Sequence, residues 1–479
     1  MVVSLLLAAC GGDDPAPAAE APAAVEAPAA VEAPAAEAPA AEAPAAVEAP
    51  VAEAPATGDA VEVRWYIGLG AGGNPEEIAK EEAFAEKFNA MYGDQYKLVL
   101  DIVQNATAYD VLKTQIASGD VPAIVGPVGV RGMASFEGAW LDLAPLIEAN
   151  NVDLSDFNPA LLDFYKFEGQ GQVGIPFAVF PSALWYNVDL FDEAGLDYPP
   201  HDWNAPYADG DTWDFDKMAS LAEFLTVDAN GNDATMDGFD PENIVQFGYD
   251  PMWTDIRGAW TFFGAGSFAD ADGNAQIPDV WRTAAKWYYD AIWNKHFIPN
   301  SNYVTSDLLA QGNTFGSGNV AMNPNHTWYT CCTEGTNWDV AAIPSYEGNH
   351  TAKLHADTFA ILKATKNVDA AFAVYTLMTT EFAEELTQIY GAFPAKISAQ
   401  TSAIATMQAS FPNADIQVFV DALNYPDNPN HESGMPNFLK SSDTYGTFGA
   451  MYLSTPGLDI DAELDALQVE LQTVFDEVK

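Results

Sequence analysis

The sequence predicts an α/β fold arranged in two lobes. Strand-like and helix-like patterns alternate over residues 60–129, the order expected of a parallel α/β layer. The stretch from 60 to 479 is too long for one ordinary core, and bodies of that size divide. Its middle and end carry amphipathic, aromatic-rich helices.

The elements follow in order. "AVEVRWYIGLG" (60–70) alternates apolar and polar residues before a Gly-rich turn and reads as a strand. "NPEEIAKEEAFAEKFNAMYG" (74–93) spaces Ile78, Phe84 and Phe88 as a helix does, with Pro75 near its start and Gly93 at its end. "YKLVLDIV" (96–103) is a second strand, and "YDVLKTQIASGD" (109–120) a helix closing on Gly119. "PAIVGPVG" (122–129) reads as a short buried strand. Further on, residues 279–297 place Trp281, Ala284, Ala285, Tyr288 and Ile292 on one helix face. Residues 367–391 cover one or two helices, and 457–478 form an amphipathic final helix.

The N-terminus is of another kind. Leu5, Leu6 and Leu7 lead through Ala8 and Ala9 to Cys10. Leu7-Ala8-Ala9-Cys10 resembles the bacterial lipobox, which makes residues 1–10 a secretory signal and Cys10 a lipidation site. No Lys or Arg precedes the short apolar run, so the true signal is expected to begin further upstream. Residues 11–59 repeat Ala, Pro and Glu; the prolines stop helix growth, and nothing there can bury a core, so a semi-extended disordered tether is expected. The chain is then expected at the cell surface or in the periplasm, held to the membrane by lipid alone, since no later stretch has 18 uninterrupted apolar residues.

Lys plus Arg number 18 against 69 Asp plus Glu, a formal net charge of -51. Seven of those acids lie in the repeat, so most of the charge is on the body. Such a surface argues against nucleic acid, which needs basic residues. It fits solubility, or a cationic ligand. Besides Cys10 there are only Cys331 and Cys332. Outside the cytoplasm they are free to pair. Neighbouring Cα atoms about 3.8 Å apart fall below the usual disulfide range, so a vicinal bridge and two free thiols both stand.

At "GQVGIPFAVFPSALWYNVDLFDEAGL" (171–196) a signature appears: a strand passing through Pro176 into an aromatic turn, then a "YN.DLF.EAGL" pattern and Pro199-Pro200. "YDVLKTQIASGDVPAIV", "FGSGNVAMNPNHTWY" (315–329), "LHADTFAILKATKNVDAAFAVYTLMTTEFAEEL", "YGAFPA" (390–395) and "GMPNF" (434–438) follow in a matching order. Together they resemble the extracellular solute-binding proteins of ABC importers, in the sugar-binding group that includes the maltose-binding protein. One departure is Ala123, where that family usually has Asp. The resemblance covers about 61–479. It implies a periplasmic-binding-protein-like fold: lobe 1 from 60–178 plus 338–392, lobe 2 from 179–337 plus 393–479, a hinge, and a ligand cleft between them. It implies a monomer that hands a sugar, an oligosaccharide, to membrane permease subunits, with no catalysis and no cofactor.

Sugars offer apolar C–H faces and a rim of hydroxyls, so stacking rings and hydrogen-bonding side chains are expected in such a cleft. The resemblance and the loop positions nominate Phe180 and Ser182 in the turn "VFPSAL", and Trp253 and Arg257 in "DPMWTDIRGAW". They also nominate Trp328 as a stacking ring and Tyr445 as a second. Tyr109 and Arg131 are placed on the rim, and Asp357 after a strand near the hinge. Cys331 and Cys332, just past Trp328, are expected beside the ligand as a bridged platform or as small apolar filling. "DANGNDATMDGFD" (228–240) places Asp228, Asn230 and Asn232 like the start of a Ca²⁺ loop, with Asp237 and Asp240 as further ligands. It departs from the EF-hand, having Asp233 where Gly is expected and Phe239 where Glu is expected. The six His residues show no metal spacing. A cationic-solute binder of the same fold and a surface glycoside hydrolase are the competing functions.

Overall fold

The computed structural model describes residues 60–478, Glu168 excepted. The lipobox, Cys10 and the tether lie outside these residues.

Three parallel strands begin the fold: β1 (Val61–Ile67), β2 (Tyr96–Ile102) and β3 (Ile124–Gly129), with β1 in the middle. The helix Pro75–Tyr92 joins the first two. Asn74 caps it by accepting from the Glu76 and Glu77 N–H groups, and Glu77 reaches back to the Asn74 N–H, a reciprocal capping box. The next helix runs Asn105–Ser118, starting earlier than the sequence pattern indicates, and Gly119 ends it with φ 76°. A side chain there would be strained, which is why glycine stops the helix.

Two small hairpins flank the main architecture: β4 (Lys166–Phe167) with β5 (Gly171–Gln172), and, after the central strand β6 (Ile175–Asn187), β7 (Val227–Asp228) with β8 (Ile244–Gln246). The remaining strands are β9 (Met322–His326), β10 (Trp338–Ala341), β11 (Leu354–Ile361) and β12 (Phe393–Pro394). The sheet order is β10-β6-β11-β3-β1-β2, with β9 and β12 also on β6. The layer is therefore mixed: parallel at β1–β3, antiparallel from β11 onward.

β6 decides the architecture. All 13 of its residues are buried. Residues 175–181 pair with β11 and β12, in the half of the sheet that contains β1–β3. Residues 182–187 pair with β9 and β10 instead. One apolar strand thus passes from one lobe's sheet into the other's. The aromatic turn expected at Phe180 and Ser182 is not formed, because the strand runs straight through both residues and both prolines. β11 shifts register between Asp357 and Thr358, where Pro176 lacks an N–H to donate, and Pro181 sits opposite Leu354, the first residue of β11.

The helices bury their predicted faces. In Asp279–Trp293, Trp281, Ala284, Ala285, Tyr288 and Ile292 are all buried. The 367–391 stretch forms two helices, Val368–Thr379 and Ala383–Ile389, and the final helix is Ile460–Asp476. Among the described residues, no helix is long and apolar enough to cross a membrane.

Candidate functional site

The register of β9 against β6 sets His326 opposite Ser182, and the chain then turns into a short 3-10 segment, Thr327–Cys332, that carries Trp328. Trp253 approaches from the loop before the helix Ile256–Thr261, with ring centroids 6.0 Å apart and planes at 18°. Trp253 is 50% exposed and holds φ at 56°, a left-handed value that is strained for a non-glycine residue. Three further contacts extend this pair into a column. Trp328 lies 5.6 Å from His326, His326 3.8 Å from His355, and His355 5.1 Å from His431, all with planes within 21°. The column runs from a solvent-facing indole to a buried imidazole. His326 is 1% exposed, and neither of its ring nitrogens has a hydrogen-bond partner.

Below the column is a charged cluster built by β11 and the loop before the helix Phe438–Ser454. Asp427 accepts from the Leu354 N–H at 2.9 Å and from the His431 N–H at 2.8 Å. It also holds His431 Nδ1 at 2.6 Å. Lys353 Nζ donates to Thr254 Oγ1 at 2.8 Å. Arg257 lies over the Tyr445 ring at 4.7 Å and pairs with Asp255 at 3.7 Å. Burial, reinforced by the nearby Glu432 charge, pushes the Asp357 carboxyl up to about 7. Burial would also raise Glu432, but His355, His431, Arg257 and Arg131 together hold it below its ordinary range. Burial lowers Lys353 to about 8 and His355 to about 4. Tyr109 is pushed up to about 12, chiefly by burial, within the fields of Arg131, Glu432 and Asp357.

A cleft of about 710 Å³ opens beside Trp328. Its walls include the cap Asn74 with Glu77 and Lys80 of the first helix, Tyr390 and Gly391, Met407 and Phe411, and Trp328, Thr330 and Cys331. Of the residues expected to meet a ligand, only Trp328 and Cys331 border it. Cys331 and Cys332 are joined in a vicinal disulfide, with Cys331 facing solvent.

The structure thus gathers the expected residues in two groups. Trp253 and Trp328 stack together, with the bridged cysteines at the end of the Trp328 segment. Tyr109, Arg131, Arg257, Asp357 and Tyr445 share one electrostatic neighbourhood around Glu432 and Asp255. Arg131 is its solvent-exposed member, while Tyr445 is 2% exposed. Asp357 lies within β11 rather than after it, because the strand continues to Ile361. Phe180 and Ser182 stand apart: at 2% and 0% exposure they are enclosed in β6.

At 228–240, Asp228 accepts from the N–H groups of Asn230, Asn232 and Asp240 and from the Asn232 amide. Burial would raise its carboxyl, but these bonds bring it down to about 2. The two Asp228 oxygens that would face a cation are thus engaged by the loop's own donors, and Asp237 is exposed. Sequence reasoning missed His326, His355, His431, Glu432, Asp255, Asp427 and Lys353. The one local signal was "DNPNHE", where Asp427 and His431 are four residues apart.

Two lobes sharing one through-running strand, with a ring column and a cleft beside Trp328, define a two-lobed α/β architecture of the kind that closes by hinge bending. The family model described as "Bacterial extracellular solute-binding protein" matches residues 72–385, and the chain belongs to that family. Over 153 residues the chain is 29% identical to the sn-glycerol-3-phosphate-binding periplasmic protein UgpB of Rhizobium meliloti, covering 30% of this chain and 34% of that one. The match therefore spans about a third of that curated relative's length. Similar folds are those of UspC from M. tuberculosis (22% identity, TM-score 0.62, 86% of this chain and 100% of that one). An ABC substrate-binding protein from Listeria monocytogenes in complex with cycloalternan is also similar (20%, TM-score 0.67, 87% and 100%). So is the cyclic alpha-maltosyl-1,6-maltose binding protein of Arthrobacter globiformis (18%, TM-score 0.66, 87% and 100%).

Proposed function

We propose that this chain is the solute-binding component of an ABC importer, that its solute is a sugar, an oligosaccharide, and that lipid on Cys10 holds it at the membrane. It acts as a monomer, with its two lobes joined through β6, and passes its ligand to permease subunits.

The observation that carries the reading is the Trp253–Trp328 pair at the open end of the ring column. It offers a flat apolar face, as a sugar ring requires, and sits beside buried polar groups such as His326 that still lack partners. The fold neighbours named for cycloalternan and for cyclic alpha-maltosyl-1,6-maltose support it. A cationic solute is less favoured, because Asp255, Asp357 and Glu432 are opposed locally by Arg131, Arg257 and Lys353. No step of bond cleavage is assigned.

The test is thermal unfolding of the purified chain with mono- and oligosaccharides, with polyamines and sn-glycerol-3-phosphate as controls. A ligand that binds only the folded form, at 100 times its dissociation constant, adds about 2.7 kcal/mol. Stabilisation by one oligosaccharide class, recovered intact afterwards, is the expected result. Stabilisation by polyamine or glycerol phosphate alone would replace the sugar, and cleavage of the sugar would revive the hydrolase. Membrane fractionation of Cys10→Ser, which should free the protein, tests the anchor.

A further inference from the structure

Three ligating side chains converge at the buried end of the ring column. His355 Nε2 and His431 Nε2 are 3.1 Å apart, and Glu432 Oε1 is 3.8 Å from His355 Nε2. One ligand atom from each of the three falls within 4.8 Å of the others. Two nitrogens bound at about 2.0–2.1 Å to a tetrahedral zinc ion would lie about 3.3 Å from each other, so the pair is already at nearly the required separation.

Behind His431 stands the feature that separates this arrangement from a chance contact. Asp427 holds His431 Nδ1 at 2.6 Å, which makes Nδ1 the donor and leaves the Nε2 lone pair directed at His355. The same carboxylate is fixed by the His431 and Leu354 backbone N–H groups, so the ring cannot turn. A carboxylate behind a histidine is the usual outer partner of a metal-bound imidazole. The Asp427 side chain is 0% exposed and that of His431 4%, whereas His355 and Glu432 keep 24% and 18%, so an ion has a path in. A lone N–H···N bond would explain the 3.1 Å contact but not the Glu432 carboxylate on its open side.

We infer that His355, His431 and Glu432 form a binding site for a divalent transition-metal ion of the zinc class, with Asp427 as the positioning residue. Three protein ligands leave a further position for water or for an oxygen of the solute. The ion would tie β11 to the 427–432 loop, next to the crossover strand. The inference stands independently of the sugar reading.

The test uses the untagged full chain, stripped with a chelator and titrated with Zn²⁺ alone by calorimetry and with Co²⁺ by visible absorption. One equivalent of Zn²⁺ should bind, and Co²⁺ should give the intense bands of a four- or five-coordinate site. His355→Gln and Glu432→Gln should lose that equivalent while keeping the parent circular dichroism. Asp427→Asn should bind about 10–100-fold more weakly. If a variant does not fold, diethylpyrocarbonate labelling of the unaltered chain decides: Zn²⁺ should shield His355, the more exposed of the two imidazoles, and leave His201 reactive. No stoichiometric binding, parent-like binding in folded His355→Gln and Glu432→Gln, or no shielding would overturn the inference.

Discussion

The indoles of Trp253 and Trp328 lie nearly parallel, 6.0 Å between centroids, and the former is held at φ 56° to reach that position. A left-handed backbone costs a non-glycine residue about 1–2 kcal/mol. A half-exposed tryptophan kept in such a conformation suggests that the ring's placement matters more than the fold's comfort.

Trp253→Gly separates the two. The glycine relieves the strain, so the variant should be as stable as the parent or more so by about 1 kcal/mol, despite a lost aromatic contact. Its sugar affinity should fall at least tenfold, about 1.4 kcal/mol. Chemical denaturation and calorimetry read the two effects separately.

Asp357 gives a pH prediction. An unfolded aspartate titrates at about 3.9, but burial and Glu432 raise this one to about 7. Between those values the folded chain keeps a proton that the unfolded chain has released, so Asp357 makes stability fall as pH rises through that window and stay level above it. Asp357→Asn lacks this loss. Its Tm minus the parent's should climb from about pH 4 to about pH 7 and then plateau; a flat difference would count against the assignment.

Glu81, 0% exposed, accepts from the Tyr390 hydroxyl at 2.9 Å, and burial is the main reason its carboxyl is raised to about 8. The same sign applies over a wider window. Glu81→Gln should gain stability relative to the parent as pH rises from about 4 to about 8. Tyr390→Phe should instead be less stable by about 1–3 kcal/mol, since it strips a buried acceptor of its donor.

The Cys331–Cys332 bridge joins neighbours in sequence, so it closes almost no chain loop and adds little stability by restricting the unfolded state. It does close the segment that carries Trp328. Reduction, or Cys331→Ser with Cys332→Ser, should leave Tm within a few degrees while weakening sugar binding. Peptide mapping without reductant checks the bridge itself.

What could be read from the sequence was local. The helix start near Pro75, the glycine stop at Gly119 and the buried face of 279–293 depend on neighbours in the chain. The far half of β6 was read as a turn because Pro181 signals one, and only the pairing with β11 shows that its missing donor falls where that ladder ends. The nomination of Trp253 and Trp328 as stacking rings came from the resemblance, but the column beneath them could not. His326, His355 and His431 belong to three segments that meet only through the strand register and the 427–432 loop, so no spacing in the sequence reveals them.

The central claim is that a sugar is held against the Trp328 ring. The most direct test is equilibrium titration of the purified parent and of Trp328→Ala with the oligosaccharide that stabilises the parent. The account predicts saturable binding to the parent, and a loss of tenfold or more in the variant at a temperature where both chains are folded. Equal affinity in both chains would contradict it.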